Sequence, residues 1–591
     1  MNIGIDFGST YSLITTFDEK EQKLKELTPD GKTAITPSHL SIDEEGEVTF
    51  GTFAKSNVHD SSYRHFSGFK MMLIEKNNEI LKSNHYNQRY SPQYITELFL
   101  KSMLDGILNS ESSVGARVSI AEGYQKVYIC VPELWSKYAT KMQGCYNLKN
   151  ILNKKLGIED VNIVMEPAAA SAYFAYSYKQ NTNSNFNGHL FLIDFGGGTL
   201  DITLSKVKSN DDTIVITQLQ SDGIGENHKD RNGVIESGQA GMAYIQRLIL
   251  NVIGENNIDV TSSEFQDTMR KVEEELTNAK GIGKIRDKFS RLGRYAEFQN
   301  ILKPQFRDVS IESNIFYKFK YKGKKYIITY ADLYKAYKEV IAQGLEKTVK
   351  KMCEYCCNNI GKDPCSIEAG EDENFKIALV GGFGTFYFVQ KQIETIFNLG
   401  DPNDDGRVSG LTVNEHEKAV SYGAALLASG KVHLKKTVLY SVGLQMKERV
   451  EENGVACDKR RLYYAIKFNQ EISKDDSVSY IERKEGGRAR FAAVKEFIKY
   501  LVIGRSPDIK RGDPMTMKDE YIEKLSDLPD KGIWNIGFSV DENYIIYLHI
   551  VPDKDSNEKA RKYELDNYEN MFGFQMVEEV FDGEILKDGK L

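Results

Sequence analysis

Ile-Asp-Phe-Gly occurs twice in this chain, at 5–8 and at 193–196, and both copies sit in the same local pattern. A short apolar run precedes each, Ile3 and Ile5 in the first and Phe191 and Ile193 in the second. After the aspartate come an aromatic residue, glycines and a hydroxyl residue. A second strand pattern then begins at once, YSLITTF in one case and LDITLSKV in the other. Strand, glycine turn, strand is a β-hairpin, not the strand–loop–helix of a Walker A site. Two hairpins of one design predict a duplicated domain whose halves present matching turns.

Glycine in such a turn permits positive φ and lets backbone N–H groups come close to an anion. The N–H groups of Gly8, Ser9 and Thr10 suit one phosphate, and those of Gly197, Gly198 and Thr199 another. Each turn also carries a carboxylate, Asp6 or Asp194, which would repel phosphate unless a cation lay between them. Mg2+ suits that role, because it takes oxygen ligands and keeps several waters through which a carboxylate can hold it. The plain alternative is a pair of unrelated tight turns with Asp-Gly chemistry. The shared Ile-Asp-Phe-Gly and the following Thr weigh against it. A third phrase, IALVGGFGTF at 377–386, reads as strand, Gly-Gly turn and then helix through FVQKQIETIF. A helix opening there offers N–H groups and the positive end of its dipole, although any strand-to-helix turn can use paired glycines.

At 591 residues the chain exceeds one hydrophobic core, and three to four units of roughly 150 residues are expected. Hydrophobic residues at 41% and charged residues at 27% are ordinary for globular proteins. A net charge of −8 argues against a dedicated nucleic-acid binder. Met1 leads almost directly into the strand pattern at Ile3–Ile5, so no signal peptide is expected. No run approaches ~20 apolar residues, so no membrane span is expected either. Seven cysteines at irregular positions fit a reducing cytoplasm. Cys353, Cys356, Cys357 and Cys365 cluster, and Cys-x-x-Cys can begin a zinc site. The first three, however, fall on an apolar-periodic stretch from about Leu333 to Ile360 that predicts one long helix, and no second Cys or His pair follows. The nine histidines show no HExxH spacing.

In this order the three glycine phrases resemble those of the actin-like ATPase superfamily, and within it the seventy-kilodalton heat-shock (DnaK-like) chaperones. FSGFKMMLI carries Lys70 where that family has its catalytic lysine. IVMEPAAASAYFAY carries Glu166 ahead of Pro167 and is similar to the family's Glu-Pro-x-Ala-Ala connecting helix. EKAVSYGAALLASG, at 417–430, is similar to the last helix of its nucleotide-binding domain. The resemblance implies an α/β fold with a duplicated actin-like (ribonuclease-H-like) ATPase domain in two lobes over 1–432. A linker over 433–440 and a mainly β, sandwich-like substrate-binding domain over 441–591 would follow.

Site roles follow from the same resemblance. Asp6 and Asp194 would hold Mg2+ through water, and Lys70 and Glu166 would position the attacking water and the metal shell. Thr199 would contact the γ-phosphate of ATP. Gly8, Ser9, Thr10 and Tyr11, with Gly196, Gly197, Gly198 and Thr199, would bind phosphates. Gly382, Phe383, Gly384 and Thr385 would lie beside base and ribose, and Lys280 is the nearest candidate for a base-contacting lysine. Duller roles exist for each: Lys70 as a surface lysine, Glu166 as a helix end, Asp201 as a structural acid facing the turn. Phosphoryl transfer to water needs positioning and charge neutralisation more than covalent chemistry, which agrees with this set.

The chain also departs from the family. Phe383-Gly384-Thr385 stands where a small hydroxyl residue and then an adenine-stacking arginine are usual, and position 277 is Thr where the Glu of a Glu-x-x-Lys pattern would fall. ATP and GTP therefore both remain candidate substrates. Residues 208–236 and 281–325, rich in charge, Asn and Gly, read as enlarged loops or small additions around the second half of the ATPase domain. KVHLKKTVLYSVGLQ, after Gly430, is basic where the family linker is acidic and leucine-rich.

From about 438 the pattern becomes β. GIWNIGFSV (532–540) and YIIYLHIV flank a turn at DEN (541–543), and the whole is similar to the end of the family's substrate domain. ARFAAVKEFIKYLVIG (489–504) reads as a helix. The helical lid of the family is not expected, since the sequence given stops at Leu591.

The leading expectation is a cytoplasmic, Mg-dependent ATPase in which ATP and ADP switch polypeptide binding by the β region. A J-domain or nucleotide-exchange co-chaperone would be its partner, with no nucleic acid and no membrane. The alternative is an ATP-binding regulator or actin-like assembly protein that docks one dedicated partner. A small-molecule kinase would need a base carboxylate facing an acceptor hydroxyl, and none is evident.

Overall fold

The computed structural model describes residues 1–564 other than 59, 76–80, 82–85, 112–118, 134, 136–142, 197–198, 212, 226–227, 230–234, 237–239, 255–257, 259, 261, 367–373, 399–412, 439–440, 453–454, 468–469, 473–476, 484–485, 493–499, 507–518, 525–531 and 554–558. The content is mixed α/β. The chain divides into two units, one of residues 1–134 and 164–434, the other of 135–163 and 435–591.

The first unit contains two sheets of one design. In the first, β1 (Asn2–Phe7), β2 (Tyr11–Asp18), β3 (Lys23–Leu27), β4 (Lys126–Val131) and β5 (Asp160–Met165) lie in the order β3-β2-β1-β4-β5, and Thr36–Pro37 adds to β2. The division between units falls within β5, after Ile163. The second has β6 (Gly188–Phe195), β7 (Thr199–Ser209), β8 (Ile214–Gly225), β9 (Phe375–Val380) and β10 (Val432–Lys435), in the order β9-β6-β7-β8-β10. In each, the first strand makes an antiparallel hairpin with the second and a parallel pair with a strand supplied later. Strands packed on both faces need near-continuous apolar runs. Ile3, Ile5 and Phe7 in β1, and Leu190 to Ile193 in β6, are buried accordingly.

Two helices cross between these strands. α1 (Glu166–Thr182) starts with Pro167 in its first turn, where a missing N–H costs nothing, and ends at left-handed Asn183. α2 (Val413–Ala428) packs on β1 and α1. Small residues allow the approach. A Cβ on Gly423 would lie 1.7 Å from the Ala169 carbonyl oxygen, and one on Gly4 would lie 2.2 Å from the Ala425 nitrogen. Thr15 and Ser421 share a buried hydroxyl–hydroxyl hydrogen bond of 2.8 Å across the same contact.

The stretch expected as one long helix is Tyr330–Tyr337, a π-helical turn at Lys338–Ala342 and Gln343–Ile360, ending at left-handed Gly361. Of the two readings of the stretches 208–236 and 281–325, loops or small additions, the loop reading is corrected: where described they are largely ordered elements. β7 and β8 fill most of 208–225. Residues 279–329 form the helix Ala279–Ser290, short 3-10 turns and the hairpin Ile315–Tyr321/Lys324–Thr329. Phe289, Phe298, Ile301, Phe316 and Phe319 are buried there, widely enough spaced among Lys and Asn to hide the periodicity.

In the second unit, four strands lie in the order Val455–Ile466, Ser441–Glu452, Tyr500–Ser506, Asp519–Lys524. Another sheet holds Ser479–Tyr480, Ile533–Val540, Ile546–Pro552 and Arg561–Glu564, with Phe491–Ala492 also on Ile533–Val540. The helix expected over 489–504 is therefore corrected. Phe491–Ala492 and Tyr500–Ser506 are strands, and 493–499 lies outside the described residues. The run Tyr500–Ile503 is rich enough in aromatic and β-branched residues to pair as a strand. The expected DEN turn is present. Asp541 accepts from the N–H groups of Asn543 (2.8 Å) and Ile545 (2.9 Å). This turn meets the segment before α1: Lys149 bonds Asp541 at 2.9 Å, and the Ile163 N–H donates to the Asn543 side chain at 2.7 Å. Buried Lys436 donates to the carbonyls of Ile163 and Glu542, each at 2.6 Å.

Candidate functional site

Asp6 and Asp194 stand at equivalent places in the two sheets, next to last in β1 and β6. Pairing of Phe7 with Ser12 and of Phe195 with Leu200 leaves four residues in each turn, 8–11 and 196–199. Both turns rise from the carboxyl ends of central strands, where open α/β sheets place their ligand crevices. A Cβ at Gly8 would lie 2.1 Å from the Tyr11 carbonyl oxygen, so this corner requires glycine. Ser38 takes up two carbonyls of the turn, bonding Gly8 through its hydroxyl (2.7 Å) and Thr10 through its N–H (2.9 Å). In the second turn the Gly196 N–H donates to the Thr199 carbonyl at 2.9 Å, and Thr199 is buried. Gly197 and Gly198 lie outside the described residues.

Lys70 lies in the short helix Phe69–Met72, entered through left-handed Gly68, and its side chain is only 3% exposed. Its ammonium donates to the carboxylate of Glu166, the first residue of α1. Burial alone would lower the lysine, but the charges of Glu166 and Asp6 outweigh it and hold the ammonium protonated. The Asp6 carboxyl is pushed up to about 7, chiefly by burial and then by Glu166, against the pull of Lys70. Asp194 is pushed well above the carboxylate range by burial, then by Glu166, Asp201 and Asp6. Three carboxylates thus converge on one lysine. Their mutual repulsion, which raises both aspartates, is what a divalent cation with oxygen ligands would relieve in place of protons, so the residues present fit Mg2+.

Residues 2–228 match the family described as Hsp70 protein, a span that includes both hairpins, Lys70 and Glu166. Over that span the chain is similar to the Hsp70 family. It is 25% identical over 281 residues to a chaperone protein DnaK of Metamycoplasma hominis, covering 47% of this chain and 40% of that protein. It is 23% identical over 465 residues to a heat shock 70 kDa protein of Trichophyton rubrum, covering 74% of this chain and 59% of that protein. The chain thus spans about half the length of these relatives. Hsp70 proteins are chaperone-type ATPases that bind ATP or ADP with Mg2+.

The third glycine turn lies beyond the Hsp70 match but touches the site. Gly381 has φ +84°, and a Cβ there would lie 2.5 Å from the Asp194 carboxylate. The Gly384 N–H closes the turn on the Gly381 carbonyl at 3.0 Å, and Gly382 is exposed with open space about it. The Phe383 ring is buried, 6.2 Å from Phe195 and 5.8 Å from Phe386, so this residue turns backbone and not its ring to the surface. Thr385 lies in the 3-10 turn Gly382–Thr385. Tyr11 is exposed and accepts a hydrogen bond from Lys55 at 3.1 Å. Lys280 is exposed in the first turn of Ala279–Ser290.

Three buried residues of this unit escaped the sequence reading, Ser38 and Cys130 of them beside the site. Ser38 buttresses the first turn from another strand connection. Cys130 pairs with Asp6 in the parallel register, and its thiol is driven well up by burial, Asp6 and Glu166. Buried Glu133 accepts from Gln218 of β8 at 3.0 Å. Only Glu133, a charge two residues past the end of an apolar strand, left any signal in the sequence. Asp201, expected as a structural acid, is buried opposite Asp194 and adds to its electrostatic load. Among the described residues no group of three His, Cys, Asp or Glu side chains is arranged as a metal cluster, the cysteines near 353 included. None of the described helices is long and apolar enough to cross a membrane.

Proposed function

We propose that the chain is a Mg-dependent ATPase of chaperone type. Its nucleotide-binding part spans 1–432 with the actin-like fold, 433–440 is a linker, and 441–591 is a sandwich-like region that binds a polypeptide. The observation that carries this reading is the Lys70–Glu166 ion pair set against Asp6 and Asp194 on two equivalent hairpins. In this reading Gly8 to Tyr11 and Gly196 to Thr199 bind phosphate oxygens through N–H groups. Gly382 to Thr385 border the base through backbone, with Lys280 at the edge of that region. Asp6 and Asp194 would hold Mg2+ through water, which supplies charge neutralisation at the phosphates. Glu166, fixed by Lys70, orients water, while the Lys70 ammonium faces the charge that grows on the transferred phosphoryl group. Thr199 offers its hydroxyl to the terminal phosphate.

Coupling requires that ATP and ADP bind two states of the chain differently, and the effect is reciprocal between nucleotide and polypeptide. A cytoplasmic setting, a polypeptide client or dedicated partner, and a J-domain or exchange factor belong to the same proposal. Turnover of Mg-ATP and affinity for a fluorescent unfolded peptide, each in ATP and ADP, test it together. Hydrolysis falling roughly 100-fold or more in Asp194→Ala and Lys70→Ala, with a nucleotide-dependent shift in peptide affinity, is the expected result. Intact hydrolysis with no peptide binding in either nucleotide would favour a regulator that docks one partner.

A further inference from the structure

The cysteines of the long helix take no part in the nucleotide site, yet two of them are brought together by the fold. Cys353 lies on the inner side of Gln343–Ile360 and is 5% exposed. Beyond left-handed Gly361 the chain doubles back along the last turns of this helix. Asp363 accepts the Cys365 N–H at 2.9 Å and the Ser366 hydroxyl donates to its carbonyl at 3.0 Å, which fixes this return. The Cys353 and Cys365 sulfurs come within 3.2 Å. That is well inside the ~4 Å of ordinary side-chain packing, and about 1 Å of further approach reaches disulfide bonding distance. An open hollow of about 270 Å3 reaches Cys353 between Lys350, Glu354, Cys357, Asn358 and Asp363.

We propose that Cys353 and Cys365 are an oxidant-responsive pair that closes to a disulfide on meeting a hydroperoxide. Cys365 is the more open sulfur and lies within the field of the Lys350 ammonium. Its sulfur attacks the terminal oxygen of the hydroperoxide and the O–O bond breaks. The alcohol (water, for hydrogen peroxide) leaves with the thiol proton, and Cys365 becomes a sulfenic acid. The Cys353 sulfur then attacks the Cys365 sulfur, the S–O bond breaks, and water leaves with the second proton. Two thiols are oxidised, one hydroperoxide is reduced, and a dithiol reductant reverses the bond. The bond ties the helix to the chain that leads into β9, the strand running to Gly381 beside Asp194. The proposal is independent of the nucleotide reading.

The test treats the intact protein with hydrogen peroxide, blocks remaining thiols with N-ethylmaleimide, and maps non-reduced peptides by mass spectrometry. The expected product is a Cys353–Cys365 linked peptide, lost on adding dithiothreitol, absent from Cys365→Ser and retained in Cys357→Ser. Amide exchange across 346–366 should slow at least tenfold in the oxidised protein and recover on reduction. A link through Cys357 in place of Cys365, or sulfinic and sulfonic acids with no link, would overturn the proposal. Cys365 is partly exposed, so Cys365→Ser keeps the test open even if Cys353→Ser fails to fold.

Discussion

At the scale of residues, the molecule places its charges where neighbours decide their state. Lys70 stays protonated in a buried setting only because Glu166 and Asp6 lie beside it. His39 shows the opposite outcome. Its Nδ1 meets His65 Nε2 at 2.9 Å, and His65 Nδ1 meets the Ser41 hydroxyl at 2.9 Å. Burial, then His65 and Lys55, drive the His39 imidazole down to about 3. Below the ordinary histidine range the unfolded chain takes up a proton that the folded chain refuses. The stabilisation is therefore full above pH ~6.5 and is lost as pH falls toward 3. Comparison with His39→Gln isolates it. The stability gap between the two proteins in urea should shrink by about 2 kcal/mol from pH 7 to pH 4.5, allowing for the partial exposure of the ring. A gap independent of pH would mean that His39 is not held neutral.

Elements meet where small residues let backbones touch. The crossing of α1 and α2 depends on Gly423, whose missing side chain leaves room for the Ala169 carbonyl. Gly423→Ala should separate the helices and cost roughly 1–3 kcal/mol, as overpacking does. Alanine favours a helix interior by up to about 1 kcal/mol over glycine, so an exposed glycine-to-alanine change would stabilise. A measured loss is thus diagnostic of the close crossing, and a gain would contradict it. Helical periodicity was legible in the cysteine stretch; the helix at EPAAASAY was expected from the family resemblance alone, because it is buried continuously from Pro167 to Ala175 and shows no apolar face. Periodicity was not legible in 279–329, where short 3-10 turns break the period, nor in 500–506, where the sequence pattern suits strand and helix alike.

For the whole molecule, the division of the chain is not the one its order suggests. Residues 135–163 group with 435–591, held by the Asp541–Asn543 turn, Lys149 and Lys436. Asp541 serves two backbone N–H groups and one ammonium at once. Asp541→Ala should therefore cost about 2 kcal/mol, as loss of a satisfied, partly buried acceptor does, whereas Lys149→Met should cost under ~1 kcal/mol. Limited proteolysis of Asp541→Ala should accelerate cutting within 143–163. Unchanged cutting there would show that other contacts hold this segment.

The duplicated hairpins, the glycines their turns demand, and Asp6, Asp194 and Thr199 at those turns were legible along the chain, because they are local, written in backbone conformation and in alternation along a strand. Lys70 and Glu166 were expected only from the family resemblance. Only the packing of remote elements made Lys70 pair with Glu166, set Asp201 against Asp194 and Asp6 against the Cys130 thiol, and turned the Phe383 ring to the core. It alone brought Cys365 to Cys353 and drew residues 135–163 to the far end of the chain. Such pairings depend on burial and on distances between elements remote in sequence, and no residue pattern along the chain encodes either.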